Sequence, residues 1–167
     1  YNSGTINFLS NDSTATITST FNVGLRNDDT INHLYNGGTI SSTNNYGLYN
    51  TLSNTIADFK NTGTISSTKS FAIVNFGTMT DFENSGTISS RTMINNAGTI
   101  TNLYNSQGFA GASSDPLTLT GNLPTNYFVT INSTTNYGQL SVTSGVGNIN
   151  FGITEGSVIG VPTTNYT

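Results

Sequence analysis

The chain of 167 residues has no cysteine, no tryptophan and three prolines, and only 7% of its side chains are charged, against about 25% in an ordinary soluble domain. Each scarcity excludes something. Without cysteine there can be no disulfide framework, and the redox compartment leaves no trace. Arg26, Lys60, Lys69 and Arg91 are the only Lys or Arg residues, set against eight acidic residues, so nothing can neutralise a run of phosphates and nucleic acid is excluded as a partner. Apolar runs such as Phe71-Ala72-Ile73-Val74 are far too short for a membrane-spanning helix, and no membrane insertion of this segment is expected. The patterns GxSxG, GxxxxGK[ST] and HExxH are missing, and with them the usual sequence marks of a nucleophile elbow, a phosphate loop or a zinc protease. No catalytic residue, cofactor or metal site is expected. There is no initiating Met and no signal peptide, and position 1 falls inside a repeat, so the chain is expected to be a processed or trimmed piece of something longer.

What the chain has instead is Thr, 30 times, and Asn, 25 times. β-branched residues favour strands, and low charge argues against a disordered chain. The Asn-x-Gly-Thr-Ile core of Asn61-Thr62-Gly63-Thr64-Ile65 comes back at Asn2, Asn36, Asn84 and Asn96. Recurrence at a regulated interval is the mark of a stacked repeat.

Three phases can be aligned. Thr-Ile-x-x-Leu/Phe places apolar residues at 6, 31, 56, 79 and 100, separated by 25, 25, 23 and 21 residues. Thr-Ile-Ser/Thr-Ser places them at Ile17, Ile40, Ile65 and Ile88, with a degenerate Gly108-Phe109, and a third, weaker phase runs through Leu25, Leu48, Ile73, Ile94 and Leu117. Three short strands per period, each with its apolar residue flanked by polar ones, predict a right-handed parallel β-helix of about five coils. Ile, Leu and Phe should fill its core while Thr and Ser point out.

Asn residues keep the same phase. Asn11, Asn36, Asn61, Asn84 and Asn105 fall just before the second strand; Asn2, Asn27, Asn50, Asn75 and Asn96 fall just before the first. Stacked about 4.8 Å apart, such amides can bond to the same amide above and below, forming ladders at two corners. After Leu117 the repeat stops, and apolar clusters at 127–131, 137–142, 149–153 and 158–161 are separated by turn-rich segments. The expected division is a β-helix over 1–119 and a β-rich cap over 120–167, since a terminal unit should differ from the repeats it covers.

With these coils in front of Asn136-Tyr137-Gly138-Gln139-Leu140-Ser141-Val142 and Gly152-Ile153 to Tyr166, the chain resembles the passenger domains of bacterial autotransporters, the type V secreted surface proteins. The resemblance implies a parallel β-helix displayed outside the outer membrane; the repeat, together with the lack of any recognisable site, leads to the expectation of a non-enzymatic surface or extracellular protein, a rigid β-helical stalk serving adhesion, self-association or a structural matrix, with a host or neighbouring-cell surface or matrix as partner. The β-barrel that follows such passengers is not in this sequence.

Few residues carry chemistry. His33 is the only histidine, in a column reading Phe8, His33, Asp58, Asp81, Asn102. Carboxylates of Asp58 and Asp81 on adjacent coils would stand near the 5 Å separation of a retaining glycosidase, an alternative to the simpler reading of solvated residues at a strand end. Tyr35, Lys60, Glu83 and Tyr104 form a neighbouring column, best read as an exposed cross-strand ion pair. Thr16-x-Thr18, Thr39-x-Ser41, Thr64-x-Ser66 and Thr87-x-Ser89 would make a flat hydroxyl array similar to ice-binding faces, although Thr is an ordinary exposed strand residue. Asn-x-Ser/Thr sequons at Asn11, Asn132 and Asn165 carry no weight in so Asn-rich a chain. Tyr1 aligns with Arg26, Tyr49, Val74 and Asn95, so the first coil should present an open edge through which the chain could self-associate into filaments.

Overall fold

A computed structural model describes residues 1–109 and 115–158, and among them every regular element is a β-strand. The sequon at Asn165, Tyr166 and the last three residues of the 158–161 cluster lie outside the described residues.

Consecutive strands belong to different sheets, so the chain winds. The first sheet stacks Ile6–Asn11, Thr30–Asn36, Thr55–Asn61, Thr78–Asn84, Thr99–Asn105, Asn126–Val129 and Asn150–Ile153. The second stacks Thr16–Ser19, Thr39–Ser42, Thr64–Ser67 and Thr87–Ser89; the third stacks Leu25–Asn27, Leu48–Asn50, Ile73–Asn75, Ile94–Asn96, Leu117–Asn122 and Leu140–Val146. All pairing within these three sheets is parallel, in the register Ile31↔Ile56, Ile40↔Ile65, Leu48↔Ile73. The fold is a parallel β-solenoid with three strands per coil.

Side-chain alternation produces the core. In Thr64-Ile65-Ser66-Ser67, Ile65 is wholly buried while Thr64 and Ser66 are only partly covered. In Thr55–Asn61 two outward residues in succession, Ala57 and Asp58, break strict alternation and let both Ile56 and Phe59 face inward. Because every coil repeats this offset, like residues stack: the rings of Phe59 and Phe82 lie 4.5 Å apart and nearly parallel at 8°. Each fully buried Ile, Leu or Phe contributes about 1.5–3 kcal/mol.

The two Asn columns form continuous ladders. Asn11 Nδ2 donates to Asn36 Oδ1 at 2.7 Å, Asn36 to Asn61 at 2.7 Å, Asn61 to Asn84 at 2.8 Å and Asn84 to Asn105 at 3.1 Å. The other column runs Asn2, Asn27, Asn50, Asn75, Asn96 at 2.7, 2.9, 2.8 and 2.8 Å. Most of these Nδ2 groups also donate to a Thr carbonyl of the next coil, as Asn36 does to Thr64 at 3.2 Å. A buried amide left unpaired would cost about 1–3 kcal/mol; among the described residues, no buried side-chain N or O lacks a partner.

The sequence expectation differs from the structure in three places. The second Ser of two Thr-Ile-Ser-Ser units points inward: Ser42 and Ser67 are buried and donate to the carbonyls of Asn22 and Asn45 at 2.7 and 2.6 Å, making a third corner. Leu119, not Leu117, lies across from Ile94, because the segment leading into that coil is two residues longer than alignment on Pro116-Leu117 implies. Gly108–Phe109 does not join the second sheet; it pairs antiparallel with Asn136–Gly138, which pairs with Ile131–Ser133. Among the described residues winding continues past residue 119, which falls inside the strand Leu117–Asn122; the third sheet has six strands there, and the solenoid has about six coils.

Candidate functional site

The outward face of the first sheet holds the candidate chemistry. Register brings Phe8, His33, Asp58, Asp81 and Asn102 into one row, as their phase requires, and extends it to Asn126 and Asn150. His33 Nδ1 lies 3.1 Å from Asp58 Oδ2, both side chains more than half exposed. Asn102 Nδ2 donates to Asp81 at 2.8 Å, Asn126 to Asn102 at 2.8 Å, and Asn150 to Asn126 at 3.0 Å. Asp58 and Asp81 therefore stand side by side, each held from its far side. Beside them Lys60 Nζ sits 2.9 Å from Glu83, an exposed pair of the kind worth under about 1 kcal/mol.

Next to Asp81 the surface hollows into a groove of about 700 Å³. The carboxylates of Asp58, Asp81, Glu83 and Glu155 face it, with Tyr104 and Thr154. Tyr104 stacks on Phe128, ring centroids 4.7 Å apart, and a Cβ on Gly152 would come within 2.6 Å of the Phe128 ring, so glycine there leaves room for the stack. Desolvation, then the nearby charge of Asp81, raises the Tyr104 hydroxyl above its ordinary pKa. The groove is acidic and aromatic on one wall. Asp58 has 58% of its side chain exposed, and Asp81 is partly covered. Among the described residues no three His, Asp or Glu side chains converge on a point that could hold a metal ion, and no helix is long and apolar enough to cross a membrane.

The hydroxyl face of the second sheet is in the expected register, Thr16↔Thr39↔Thr64↔Thr87 and Thr18↔Ser41↔Ser66↔Ser89. Thr18 and Ser41 bond to each other at 2.9 Å. Their hydroxyls thus have a partner already, and Ser in the second row lacks a methyl. At the start of the chain Ile6, Leu9 and Ile17 are only partly covered, whereas Ile31, Leu34 and Ile40, one coil on, are at most 1% exposed.

Sequence reasoning missed Gln107, which is wholly buried. It sits where the second sheet ends, and its side-chain amide bonds to the main chain of Ile88 and to Asn84. Its signal was its place two residues after the ladder residue Asn105. Comparison with models of protein families, with curated proteins and with solved structures finds no match to this chain.

Proposed function

We propose that this chain is part of a non-enzymatic extracellular protein, a stiff β-solenoid stalk displayed at a cell surface in the manner of autotransporter passengers and serving adhesion, self-association or a structural matrix. The observation that carries this reading is the pair of amide ladders. Each joins five successive coils through buried bonds of 2.7–3.1 Å, so that neighbouring coils cannot tilt independently. A rod of six coils at about 4.8 Å each spans roughly 29 Å, and further coils would lengthen it without changing its section. Its surface, rich in hydroxyls and amides, suits display, and the half-covered first coil suits contact with another coil.

Light scattering on the 167-residue chain tests the association. Self-association that grows with concentration, and that falls in Ile17→Pro because proline deletes a ladder donor in the first coil, is the expected result. A chain that stays monomeric at high concentration, or an Ile17→Pro variant that assembles equally well, rejects it.

One observation favours a second reading. Asp58 and Asp81 stand on adjacent coils at the edge of the acidic groove, as a polysaccharide-active enzyme would require. Depolymerisation of a glycan by the wild type, lost in both Asp58→Asn and Asp81→Asn, would establish that reading over the stalk.

A further inference from the structure

The solenoid has a second apolar cluster, outside its core. Val74 lies in the outward row of the third sheet, in register with Tyr49 and Asn95, yet it is 1% exposed and does not belong to the interior cluster. Aromatic rings gather around this row. Tyr49 meets Tyr46 edge-on at 5.5 Å and Phe76 at 5.9 Å, and Tyr46 meets Phe71 at 6.5 Å. The outward rows of the second sheet are Thr and Ser alone, so solubility and strand propensity do not call for rings here. Apolar groups collected on an outer face are characteristic of a binding surface.

One coil before Tyr49, polar groups join the rings. The Arg26 guanidinium lies 5.7 Å from the Tyr49 ring centre and 5.7 Å from that of Tyr1. Its Nε–H is shared between the two oxygens of Asp28 at 2.9 and 2.8 Å, which orients the guanidinium and sets an acceptor beside its other donors. Between Arg26 and the corner opens a cleft of about 340 Å³, also lined by Asn22, Val23 and Asn45. Asn45 immediately precedes Tyr46 in the chain, so the cleft and the aromatic ledge adjoin.

We propose that this cleft and ledge bind a neutral glycan. The partly exposed rings of Tyr46, Phe71 and Phe76 offer apolar surface to the C–H side of a pyranose, while amides and a guanidinium–carboxylate pair offer donors and acceptors together, as neighbouring sugar hydroxyls require. Charge decides between sugar classes. The Arg26–Asp28 pair is neutral as a unit and the chain carries a net charge of -4, so an acidic glycan gains no attraction. The assignment gives the surface stalk a ligand; because Tyr1, Asn22, Val23 and Arg26 belong to the first coil, binding there competes with association through that end.

Affinity electrophoresis through gels containing dextran, yeast mannan or hydroxyethyl cellulose, with alginate as the acidic comparison, tests it. At least one neutral polymer should retard the wild type, and alginate should not. Tyr49→Leu keeps apolar bulk over Val74 but removes the ring; it should weaken retardation about tenfold, a loss of about 1.4 kcal/mol, with thermal unfolding little changed. Arg26→Gln should weaken it as well, and Tyr49→Phe should retain most of it. No retardation by any of the three neutral polymers, equal retardation by alginate, or full retardation of Tyr49→Leu overturns the proposal. So does sedimentation showing that the aromatic ledge is instead buried between two copies in the wild type and freed in Tyr49→Leu. Association is read by light scattering on Ile17→Pro and glycan binding by retardation of Tyr49→Leu, whose substitution lies one coil further on, so the two readings fail separately.

Discussion

Gln107 pairs with Ile88 as one strand pairs with another. The Ile88 N–H donates to Gln107 Oε1 at 2.8 Å, and Gln107 Nε2 donates back to the Ile88 carbonyl at 2.9 Å. The second sheet ends at Thr87–Ser89, and a side-chain amide stands where the main chain of a further strand would lie. Gln107→Leu keeps the bulk and removes both of these bonds, and the one it accepts from Asn84, leaving two buried main-chain groups to be satisfied some other way. It should cost about 3 kcal/mol in chemical denaturation and speed hydrogen exchange at the Ile88 amide. A loss under about 0.5 kcal/mol would mean that water replaces the amide freely.

Within the ladders, Asn61 accepts from Asn36 at 2.7 Å and donates to Asn84 at 2.8 Å. Asn61→Asp keeps the acceptor but turns oxygen toward oxygen at the Asn84 side. The new carboxyl, buried and without a donor to spare, should titrate above the usual carboxylate value of about 3.9. A group whose folded pKa is raised favours the folded state below its unfolded value and loses that contribution as pH rises through the folded one. The variant should therefore be closest to wild type in mild acid and weakest at neutral pH, by about 3 kcal/mol. Equal destabilisation at both pH values would disprove the ladder's role.

Strand phase is tested at neighbouring positions. Ile65 is wholly buried between Ile40 and Ile88 in register, and Thr64 is half-covered on the outer face. Ile65→Asp should cost more than about 4 kcal/mol, while Thr64→Asp should stay within about 1 kcal/mol. Similar midpoints for the two variants in urea would contradict the assigned phase.

Asp28 gives the chain an acid-sensitive contact. Burial alone would raise its carboxyl, but hydrogen bonds from Thr51 and Arg26 outweigh that and hold it below its ordinary value. A depressed folded pKa stabilises above the unfolded value, about 3.9, and the contribution fades as pH falls through the folded value. Thermal unfolding between pH 5 and pH 2, conditions set by those values, should show a shallower acid decline for Asp28→Asn than for wild type. Parallel declines would assign the acid sensitivity elsewhere.

The coils were legible because stacking forces like onto like: the spacing of Ile6, Ile31, Ile56, Met79 and Ile100 and the ten ladder Asn residues gave strand order and register directly. Ser42 and Ser67 were misassigned to the surface because Ser serves an outer face and an inner corner equally well, and only the carbonyls of Asn22 and Asn45 decide between them. Beyond Leu117 the composition changes but the winding does not. Asn102, Asn126 and Asn150 are bonded in succession at sequence separations of 24, and each precedes Leu103, Tyr127 or Phe151 in the chain. That Asn-apolar pair was the surviving signal, hidden by the loss of Gly-Thr-Ile. The carboxylate row at Asp58 and Asp81 was legible as a row; the groove beside it was not, because Thr154 and Glu155 enter it from a coil that the repeat does not announce.

Within both ladders each linking bond runs from the Nδ2 of one coil to the Oδ1 of the next, so each column has a head and a tail. A duplicated or deleted stretch of one whole coil rejoins head to tail and leaves each amide with its old surroundings. An insertion of any other length must be looped out at a corner, or the next Asn arrives out of step and oxygen meets oxygen in the interior. The ladders thus act on coil number much as a reading frame acts on codons: they let this molecule change length in whole steps and penalise every fraction of one.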